Sequence, residues 1–563
     1  MAGACSSIRK GTGINKRFRT NVIAKRSEWR GAGEPHRYNH YANMTWESEL
    51  EEIRRRRELA REMGGTERVA RHVAEGRTPV RDRIDQLLDD GSFREVGSLA
   101  GKVDYDEAGQ IRGYIPSNFI TGRGTIDGRP VIIGCDDFTV RGGAADGAIG
   151  NKMGWSERTA RELRLPVVRL VDGTGGGGSV RTNAALKRSY VPANPDWDVS
   201  VGLLSQVPVV AAALGPVAGL GAARVAASHF SVMVRGSSQL FVAGPPVVNR
   251  AFGGEVAKEE LGGSHIHAHG SGAVDNEVQS EQEAFDHIRL FLSYLPSSVW
   301  ETSPVIATSD DPERREKELI SVVPRDRRRV YPMRRIITLV MDVGSFFEIA
   351  RYFGPSLITG LARLDGIPVG VMANDPAFYA GAIDAAAAEK MTRFVDLCDT
   401  FRLPLVNFVD NPGFLVGVGA EKQGTIRKGV RALAAVYQAT NPWCSIIVRK
   451  AFGVAGAGHS NHARSSPRYA WPSGEWGSLP IEGGVEAAYK RQLQAADDPD
   501  KLREELEAKL ATLRDPILTA EAFGVEEIID PRDTRPLLIE FARRAHEIVN
   551  AQSGGPKSRG MRP

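Results

Sequence analysis

A long internal repeat constrains the fold more than any other feature of this 563-residue chain. Residues 122–131, GRGTIDGRPV, reappear as residues 360–369, GLARLDGIPV, at an offset of 365 − 127 = 238 positions. At the same offset, residues 164–175, RLPVVRLVDGTG, match residues 402–413, RLPLVNFVDNPG. Solenoid repeats run at roughly 20–50 residues, so a period this long predicts two whole domains of one fold. We expect a functional site built between like surfaces.

The composition is that of an ordinary globular protein, with 42% hydrophobic and 25% charged residues. A net charge of +4 is small for this length and does not support nucleic acid binding. The four cysteines form no C-x-x-C pair. This spacing argues against a four-cysteine zinc site and is typical of a reducing compartment.

Residues 1–43 differ from the rest of the chain, because they carry nine Lys or Arg against two Glu and contain no apolar run. A secretory signal needs an apolar segment and is therefore excluded. Three interpretations stay open: a disordered basic tail, translated sequence upstream of a natural start at Met44, and an organellar transit peptide. The chain is predicted to be cytoplasmic, or to reach the mitochondrial matrix if residues 1–43 are a transit peptide.

Residues 199–223 carry no charge and form a stretch long enough to raise the question of a membrane span. Pro208, Pro216 and four glycines interrupt it, which favours a strand, a turn and a packed helix. We predict no membrane span.

Short apolar runs alternate with helical stretches in both halves, which predicts an α/β fold with buried parallel strands. The predicted strands are residues 131–134, 167–171 and 207–213, then 369–373, 405–409 and 445–448. The predicted helices are residues 149–163 and 218–228, then 385–401 and 426–440. Residues 44–75 form a helical lead-in, and the next helix begins with a Thr78 cap and Pro79 in its first position. Residues 297–329 are predicted to be a solvated linker and residues 499–513 a charged helix.

A glycine cluster follows a buried strand in each half, at residues 215–222 and 453–458. Aligning Pro208 with Pro442, an offset of 442 − 208 = 234, brings Gly219 opposite Gly453. A glycine turn that enters a helix exposes backbone N–H groups, which can hold a phosphate or an enolate oxygen. Close packing of a helix on a strand also requires glycine. The repetition at matched positions favours the binding function.

Two further motifs leave alternatives open. The loops at residues 172–178 and 410–414 follow matched strands and are either active-site walls or tight turns. His265, His267 and His269 occupy alternate positions, so an extended chain would place them on one face as metal ligands. Local glycine and serine favour a loop there. The chain contains no G-x-S-x-G motif, which weakens a serine hydrolase.

The chain resembles the carboxyltransferase (β) subunits of biotin-dependent acyl-CoA carboxylases, which act on propionyl-, methylcrotonyl-, geranyl- and long-chain acyl-CoA. The resemblance covers about residues 45–550 and rests on the motifs DFTVRGG (137–143), GPPVV (244–248), GGSHIH (262–267), LSYLP (292–296), ANDP (373–376), VDNPGF (409–414), RKAFG (449–453) and YAWP (469–472). It implies two tandem crotonase-like domains related by internal duplication.

The resemblance also implies how the reaction is divided. Residues 44–303 would bind acyl-CoA, residues 304–329 would be a linker, residues 330–548 would bind carboxybiotin, and residues 549–563 would be a flexible tail. The first oxyanion turn maps to the backbone amides of Gly219 and Leu220, and the second to those of Val454 and Ala455. The implied substrate-binding residues are Gly142, Gly143, Gly175, Gly176, Gly221, Pro412, Gly413, Phe414, Gly456 and Ala457. No metal is implied.

The implied partners are a biotin carboxylase and biotin carboxyl carrier (α) subunit and further copies of this chain, in a hexamer. Many relatives have Gly-Gly-Ala where this chain has Gly219-Leu220-Gly221, and Gly-Gly-Ala-Tyr where it has residues 453–456. Three alternatives stay open: the carboxyltransferase component of a decarboxylase or transcarboxylase, a histidine-ligated metal hydrolase, and a non-catalytic scaffold.

Overall fold

The computed structural model describes residues 45–562 except residues 145–148, 174, 176–179, 181–182, 185–186, 190, 192–193, 195, 460–463, 553 and 558–559. The predicted basic tail, residues 1–43, lies outside this range. Residues 45–55 belong to one compact unit and the described residues from Arg56 onward to a second.

The first half of the second unit contains a seven-stranded sheet in the order β1-β4-β5-β6-β7-β9-β11. Its antiparallel edge is β1, β4 and β5, and the strands from β5 to β11 are parallel. The strands of this half are β1 (Arg94–Val96), β2 (Gly101–Tyr105), β3 (Ile111–Pro116), β4 (Phe119–Ile126), β5 (Arg129–Asp136), β6 (Val167–Val171), β7 (Val209–Ala213), β8 (Pro216–Ala218), β9 (Phe230–Val234), β10 (Gln239–Phe241) and β11 (Asn276–Val278). Strands β8 and β10 form a separate parallel pair.

The second half repeats this sheet in the order β12-β13-β14-β15-β16-β17-β19, and β18 pairs with the end of β16. Again three antiparallel strands lead into a parallel series. The strands are β12 (Phe347–Ile349), β13 (Leu357–Leu364), β14 (Ile367–Asn374), β15 (Leu405–Asn411), β16 (Trp443–Phe452), β17 (Arg468–Ala470), β18 (Glu475–Gly477) and β19 (Glu527–Ile528). The prediction of a duplicated α/β fold is confirmed.

Helices connect and cover the strands, as expected for parallel neighbours. Before the second sheet they are α1 (Glu47–Arg61), α2 (Thr66–Ala74), α3 (Val80–Leu87), α4 (Gly150–Leu163), α5 (Trp197–Leu203), α6 (Leu220–Ala226), α7 (Pro245–Phe252), α8 (Lys258–Gly262), α9 (Glu281–Tyr294) and α10 (Met333–Val340). The later helices are α11 (Ala385–Thr400), α12 (Val418–Lys422), α13 (Thr425–Gln438), α14 (Gly453–Ala457), α15 (Ile481–Ala488), α16 (Lys490–Ala495), α17 (Pro499–Ala511), α18 (Pro516–Glu521) and α19 (Thr534–Ala551).

The repeat extends to the hairpin turns that join β4 to β5 and β13 to β14. Asp127 and Asp365 have φ angles of 50° and 53°, as an Asp-Gly hairpin turn requires. The Asp89 carboxylate accepts hydrogen bonds from the amides of Asp127 and Gly128, both at 2.9 Å. Asp342 does the same for Asp365 at 3.1 Å and Gly366 at 2.8 Å. The two halves therefore share backbone detail as well as topology.

A continuous apolar core joins the halves. The ring of Phe230 on β9 lies 4.9 Å from that of Phe291 on α9 and 5.5 Å from that of Phe347 on β12. All three side chains are buried in one cluster that also contains Met391 and Trp443. Because this cluster draws on both sheets, we expect the halves to unfold together.

One prediction about the connecting segments was wrong, and two further segments make contacts that the sequence did not predict. Helix α3 begins at Val80 with Pro79 as its N-cap residue, and no side chain caps it, so Thr78 is not the cap. The linker is pinned, because the guanidinium of Arg314 donates to the carbonyls of Leu339 at 2.7 Å and Met341 at 3.1 Å. In the predicted flexible tail, Met561 is buried and its amide donates to Leu204 at 3.3 Å.

The uncharged stretch at residues 199–223 is divided among the end of α5, strands β7 and β8 and the start of α6. In the part of the chain that the structure describes, no helix is long and apolar enough to cross a membrane.

Two arginines on α19 provide a matched test of which contacts hold this fold. Arg535 is buried and donates to Asp342 and to the Val340 carbonyl, both at 2.9 Å. We expect Arg535→Ala to lower the free energy of unfolding by about 3–5 kcal/mol, because it leaves a buried carboxylate without its partner. The exposed Arg543 pairs with Asp365 at 2.6 Å, and Arg543→Gln should cost less than about 1 kcal/mol. Equal shifts of the two urea midpoints would contradict this ranking.

Candidate active site

The two halves build the same glycine turn. Gly219 and Gly453 have φ angles of 61° and 63°. Gly219 lies between strand β8 and helix α6, and Gly453 lies between strand β16 and helix α14. A short parallel strand runs beside each turn, β10 in the first half and β18 in the second. The predicted correspondence at an offset of 234 therefore holds in the backbone.

The first amides after each turn are the hydrogen-bond donors that these turns can offer. The first N–H groups of a helix have no partner within the helix. The amides of Leu220, Val454 and Ala455 have no acceptor among the residues that the structure describes. The Gly219 amide differs, because it donates to the carbonyl of Phe241 at 3.1 Å. The prediction of Gly219 as a donor is corrected on this point, since its N–H is already engaged by the neighbouring strand.

A second left-handed turn follows β5 and β14 at matched positions. Arg141, Gly142 and Gly143 have φ angles of 57°, 66° and 63°, and residues 379–381 have 49°, 53° and 89°. A Cβ atom on Gly143 would lie 2.3 Å from the Asp172 carbonyl oxygen, and one on Gly381 would lie 2.2 Å from that of Asp410. Glycine is therefore required where this turn crosses the end of the next strand.

The predicted residues of the first half converge at one edge of the sheet. Gly175 adjoins Ala218, whose carbonyl oxygen would lie 2.6 Å from a Cβ on Gly175. The Ala218 amide donates to the Gly173 carbonyl at 3.1 Å, which ties this loop to the turn at Gly219. This edge is the carboxyl end of β5, β6 and β7, where open α/β sheets bind ligands. Gly176 lies outside the described residues.

The second half brings its predicted residues together in the same way. The Ile383 amide donates to the Gly413 carbonyl at 3.0 Å, and Ile383 forms an isolated bridge with Phe414. A Cβ on Gly413 would lie 3.8 Å from the carbonyl oxygen of Phe452, the residue before the turn. Pro412 precedes this contact and is partly exposed. The loop at residues 410–414 therefore forms one wall beside the second turn.

Gly221 and Gly456 serve packing in this structure. A Cβ on Gly221 would lie 2.9 Å from a methyl carbon of Val217, and one on Gly456 would lie 2.7 Å from the carbonyl carbon of Ala451. Each glycine lets a short helix approach its strand. The absence of a side chain at Gly456, where many relatives have Tyr, leaves no open space, because the Ala451 backbone lies against it, while Ala457 is exposed.

A buried carboxylate fixes the loop in the first half. Asp172, at the end of β6, is fully buried and pairs with Arg77 and, at 2.8 Å, with Arg83. Arg83 also contacts Glu281 at 2.6 Å. Although burial alone disfavours the arginine charge, Asp172 and Glu281 raise the pKa of Arg83 above its ordinary value. Arg83 is therefore held in its charged form.

Asp410 has the same place in the second half, at the offset of 238. It is fully buried, pairs with Arg449 at 3.1 Å and with Lys450 at 3.4 Å, and accepts from the Tyr331 hydroxyl at 2.8 Å. Burial and the Asp410 carboxylate raise the pKa of Tyr331 well above its ordinary value, so the hydroxyl remains a donor. Sequence reasoning found both aspartates as loop residues but missed Arg77, Arg83 and Tyr331, which are remote in the chain and belong to no motif.

A cavity of about 280 Å³ adjoins the first left-handed turn. Arg68, Arg71 and Arg141 line it together with Phe138 and Gly142. Glu75 also lines this cavity, but the three guanidinium groups outnumber its one carboxylate, so the lining suits an anion such as phosphate.

The three histidines do not lie on a strand. Residues His265–Ser271 form a π-helical turn. His267 contacts the Leu240 carbonyl at 2.9 Å, whereas the ring of His269 stacks on Tyr352 at 4.2 Å. Within the described ranges, no group of three His, Cys, Asp or Glu side chains is arranged to hold a metal ion. The extended geometry that would place all three histidines on one face is not formed, because a helical turn points alternate residues in different directions.

Exposed apolar side chains occur near both turns. Val242, which directly follows strand β10 beside the first turn, is 99% exposed, and Val247 and Phe252 on helix α7 are also exposed. At the second turn, Val454 is exposed, and helix α13 presents an apolar stripe of Ile426, Val430 and Tyr437. Exposed apolar stripes of this kind are typical of an interaction face.

Comparison with known proteins gives one family. The model of the carboxyl transferase domain matches residues 71–551. The carboxyltransferase subunit of propionyl-CoA carboxylase from Haloferax mediterranei is 37% identical over 508 residues, which cover 89% of this chain and 96% of that protein. The α subunit of methylmalonyl-CoA decarboxylase from Veillonella parvula is 33% identical over 502 residues, with the same two coverages of 89% and 96%.

A solved structure gives the same result. The crystal structure of transcarboxylase 12S, described as a hexamer assembly with methylmalonyl-CoA and methylmalonic acid bound, has a TM-score of 0.80 and 30% sequence identity. The match covers 91% of this chain and 98% of that one.

The steric contact between Gly143 and the Asp172 backbone can be tested separately from the effect of the positive φ angle. We expect Gly143→Ala to lower the free energy of unfolding by about 1–3 kcal/mol more than Gly109→Ala, because the new methyl group collides with the Asp172 backbone. Gly109 is the matched control, since its φ is 76° and no atom lies within 4 Å of its Cβ position. Urea denaturation of both variants measures the difference, and equal destabilisation would show that the loop yields to the methyl group.

Proposed function

The chain belongs to the carboxyl transferase family, and we propose on this premise that it moves a carboxyl group from carboxybiotin to the α-carbon of an acyl-CoA. It is a carboxyltransferase of the acyl-CoA carboxylase type, built from two crotonase-like domains. The observation that supports two binding sites, one for each substrate, is the matched pair of glycine turns at Gly219 and Gly453. Two like turns suit a reaction in which two different carbonyl oxygens gain negative charge.

The first turn is proposed as the acyl-CoA site. The Leu220 amide would donate to the thioester oxygen as the α-carbon loses its proton, with Gly142, Gly143 and Gly175 as the surrounding wall. The cavity lined by Arg68, Arg71 and Arg141 would take the phosphates of coenzyme A. Preorganised amides act on charge that develops only in the transition state, which is how such turns accelerate acyl chemistry.

The second turn is proposed as the carboxybiotin site. The amides of Val454 and Ala455 would donate to the ureido oxygen, with Pro412, Gly413 and Phe414 as the wall. Carboxybiotin is a donor substrate here: it supplies the carboxyl group, and the biotin that remains takes the α-proton. This chemistry requires no side-chain base from the chain, in agreement with turns whose functional groups are backbone amides.

A biotin-carrying partner subunit is part of the proposal. The sequence contains no Met-Lys-Met motif for biotin attachment, so carboxybiotin would come from an α subunit that also carries the biotin carboxylase. A cytoplasmic location, predicted from the sequence, belongs to the proposal as well.

Removal of a carboxyl group from a carboxylated acyl-CoA, the reverse of this transfer, is a second candidate function. Relatives named as methylmalonyl-CoA decarboxylase and transcarboxylase match over nearly their full length.

Reconstitution tests the reaction and its acyl preference. With ATP and bicarbonate we expect no carboxylation by this chain alone and carboxylation after a biotinylated α subunit is added. Across acetyl-, propionyl-, butyryl- and longer acyl-CoA, kcat/KM should be lowest for acetyl-CoA, because the small side chain of Ala457 at the second turn would leave room for a larger acyl group bound at the first turn of a partner copy. The preference should be graded, since one methylene is worth about 1–3 kcal/mol.

Two outcomes would count against the proposal. Carboxylation by the isolated chain would refute the need for an α subunit, and an optimum at acetyl-CoA would refute the acyl preference. Transfer from methylmalonyl-CoA to a second acceptor without ATP would favour the transcarboxylase function.

The active site is further proposed to lie between two copies of the chain, with the first turn of one facing the second turn of its partner in a hexamer. The apolar faces around the two turns supply the surface for this contact. We expect Ile426→Lys to shift the chain toward smaller species in light scattering and to lower activity by the same fraction, with little loss of thermal stability.

Val343→Lys is the matched control, because Val343 is also exposed, at 76%, but lies outside both apolar faces. It should leave the assembly and activity unchanged. A fully active monomer at assay concentration would show that one chain suffices.

A further inference from the structure

The two halves differ at one pair of matched positions directly behind the first turn. Asp136, at the end of β5, corresponds to Asn374 at the end of β14, at the offset of 374 − 136 = 238. Arg224, in helix α6, corresponds to Gly458 at the offset of 458 − 224 = 234. At these two positions the second half therefore has neutral residues, whereas the first half has an acidic and a basic side chain, both of which are buried.

In the second half, Asn374 bridges two loops. Its carbonyl oxygen accepts from the Asp410 amide at 3.3 Å, and its NH₂ group donates to the Gly381 carbonyl at 3.0 Å. This side chain joins the left-handed turn to the end of β15. It makes no link to helix α14, and Gly458 has no side chain that could reach it.

In the first half, Asp136 makes a different connection. One carboxylate oxygen accepts from the Asp172 amide at 3.3 Å, as Asn374 does for Asp410. Among the described residues, Asp136 makes no hydrogen bond to the Gly143 carbonyl, so the second half's bond to a glycine carbonyl has no counterpart here. The other oxygen faces the guanidinium of Arg224 at 3.7 Å. Asp136 therefore links the end of β6 to helix α6, whereas Asn374 links two loops.

Arg224 is well placed to affect the turn. It lies one helical turn after Leu220, and side chains of a helix lean toward its N-terminus. Its guanidinium is buried beside the ring of Phe119 at 5.5 Å, and its Nε has no acceptor among the described residues. Nearby, Glu157 is engaged by Arg169 at 2.8 Å, so Asp136 is the carboxylate left for Arg224. Burial raises the pKa of Asp136, and Arg224 opposes this by favouring the ionised form.

We propose that Arg224, held by Asp136, is a positioning residue of the first turn. It clamps the helix that carries the Leu220 amide to the Asp172 loop, and it adds a buried positive charge behind that amide. This inference rests on the proposed function for its kinetic consequence, because the charge would favour the substrate oxygen when it becomes anionic. Among the residues that the structure describes, the second turn has no equivalent clamp, so we expect the two sites to differ in rigidity as well as in their ligands.

Kinetics of the reconstituted enzyme give the first test. Arg224→Gln should lower kcat by about tenfold, less than the 10²–10³ lost with a direct oxyanion donor. The KM values for acyl-CoA and the carrier should stay within about twofold, because the interaction acts in the transition state. Arg224→Lys should restore most of kcat. A glutamine variant with wild-type kcat, or a lysine variant as slow as the glutamine one, would overturn the proposal.

Hydrogen exchange gives a second test that does not depend on activity. Exchange in residues 218–224 should rise about tenfold in Arg224→Gln, while residues 452–458 of the second turn serve as the internal control. If a lone Asp136 prevents folding, Asp136→Asn with Arg224→Gln removes both charges and supplies the second half's own asparagine. Unchanged exchange in the folded variant refutes the clamp even if the wild-type enzyme proves inactive. Faster exchange at residues 218–224 alone supports it.

Discussion

Both halves of the candidate site depend on the ion pairs of two buried aspartates, Asp172 and Asp410. Each ends a central parallel strand, and each is surrounded by cations from distant parts of the chain. A carboxylate without such partners could not remain ionised away from water. Once paired, it fixes the loop that follows, and the glycine turns next to that loop take their shape from it. The geometry of the backbone donors therefore rests on side-chain electrostatics behind them.

The apolar core makes this arrangement cooperative. Helix α9 and strands β9 and β12 contribute to one cluster, and Arg83 connects Asp172 to Glu281 at the start of α9. The anchors of the site thus belong to the same packed unit as the contact between halves. A change that loosens this contact should be felt at the second glycine turn, because Ala455 of that turn belongs to the same apolar cluster.

Much of the architecture could be predicted, because the repeat and the apolar runs are local signals. The offset of 238 holds for whole strands and for single φ angles such as those of Asp127 and Asp365. Local patterns could not reveal which remote cations would surround Asp172 and Asp410, since no spacing in the sequence encodes a contact across many residues. For the same reason, the acceptor of the Gly219 amide and the pinned linker at Arg314 became visible only in three dimensions. The π-helical turn at residues His265–Ser271 reflects a second limit, because alternation of histidines fits a strand until tertiary contacts impose another geometry.

The proposed use of main-chain donors in both turns has a consequence for how this protein can change. A point mutation exchanges a side chain and leaves the amide in place, so among single replacements at Leu220, Val454 or Ala455 only proline deletes the proposed donor. The proposed backbone donors therefore survive most point mutations, while the side chains at these positions can vary and alter the shape of the pocket. Mutations should be more damaging at Arg77, Arg83 and Tyr331, although these residues touch no proposed substrate atom. In such a protein, the positions most damaging to mutate are those that hold the backbone still.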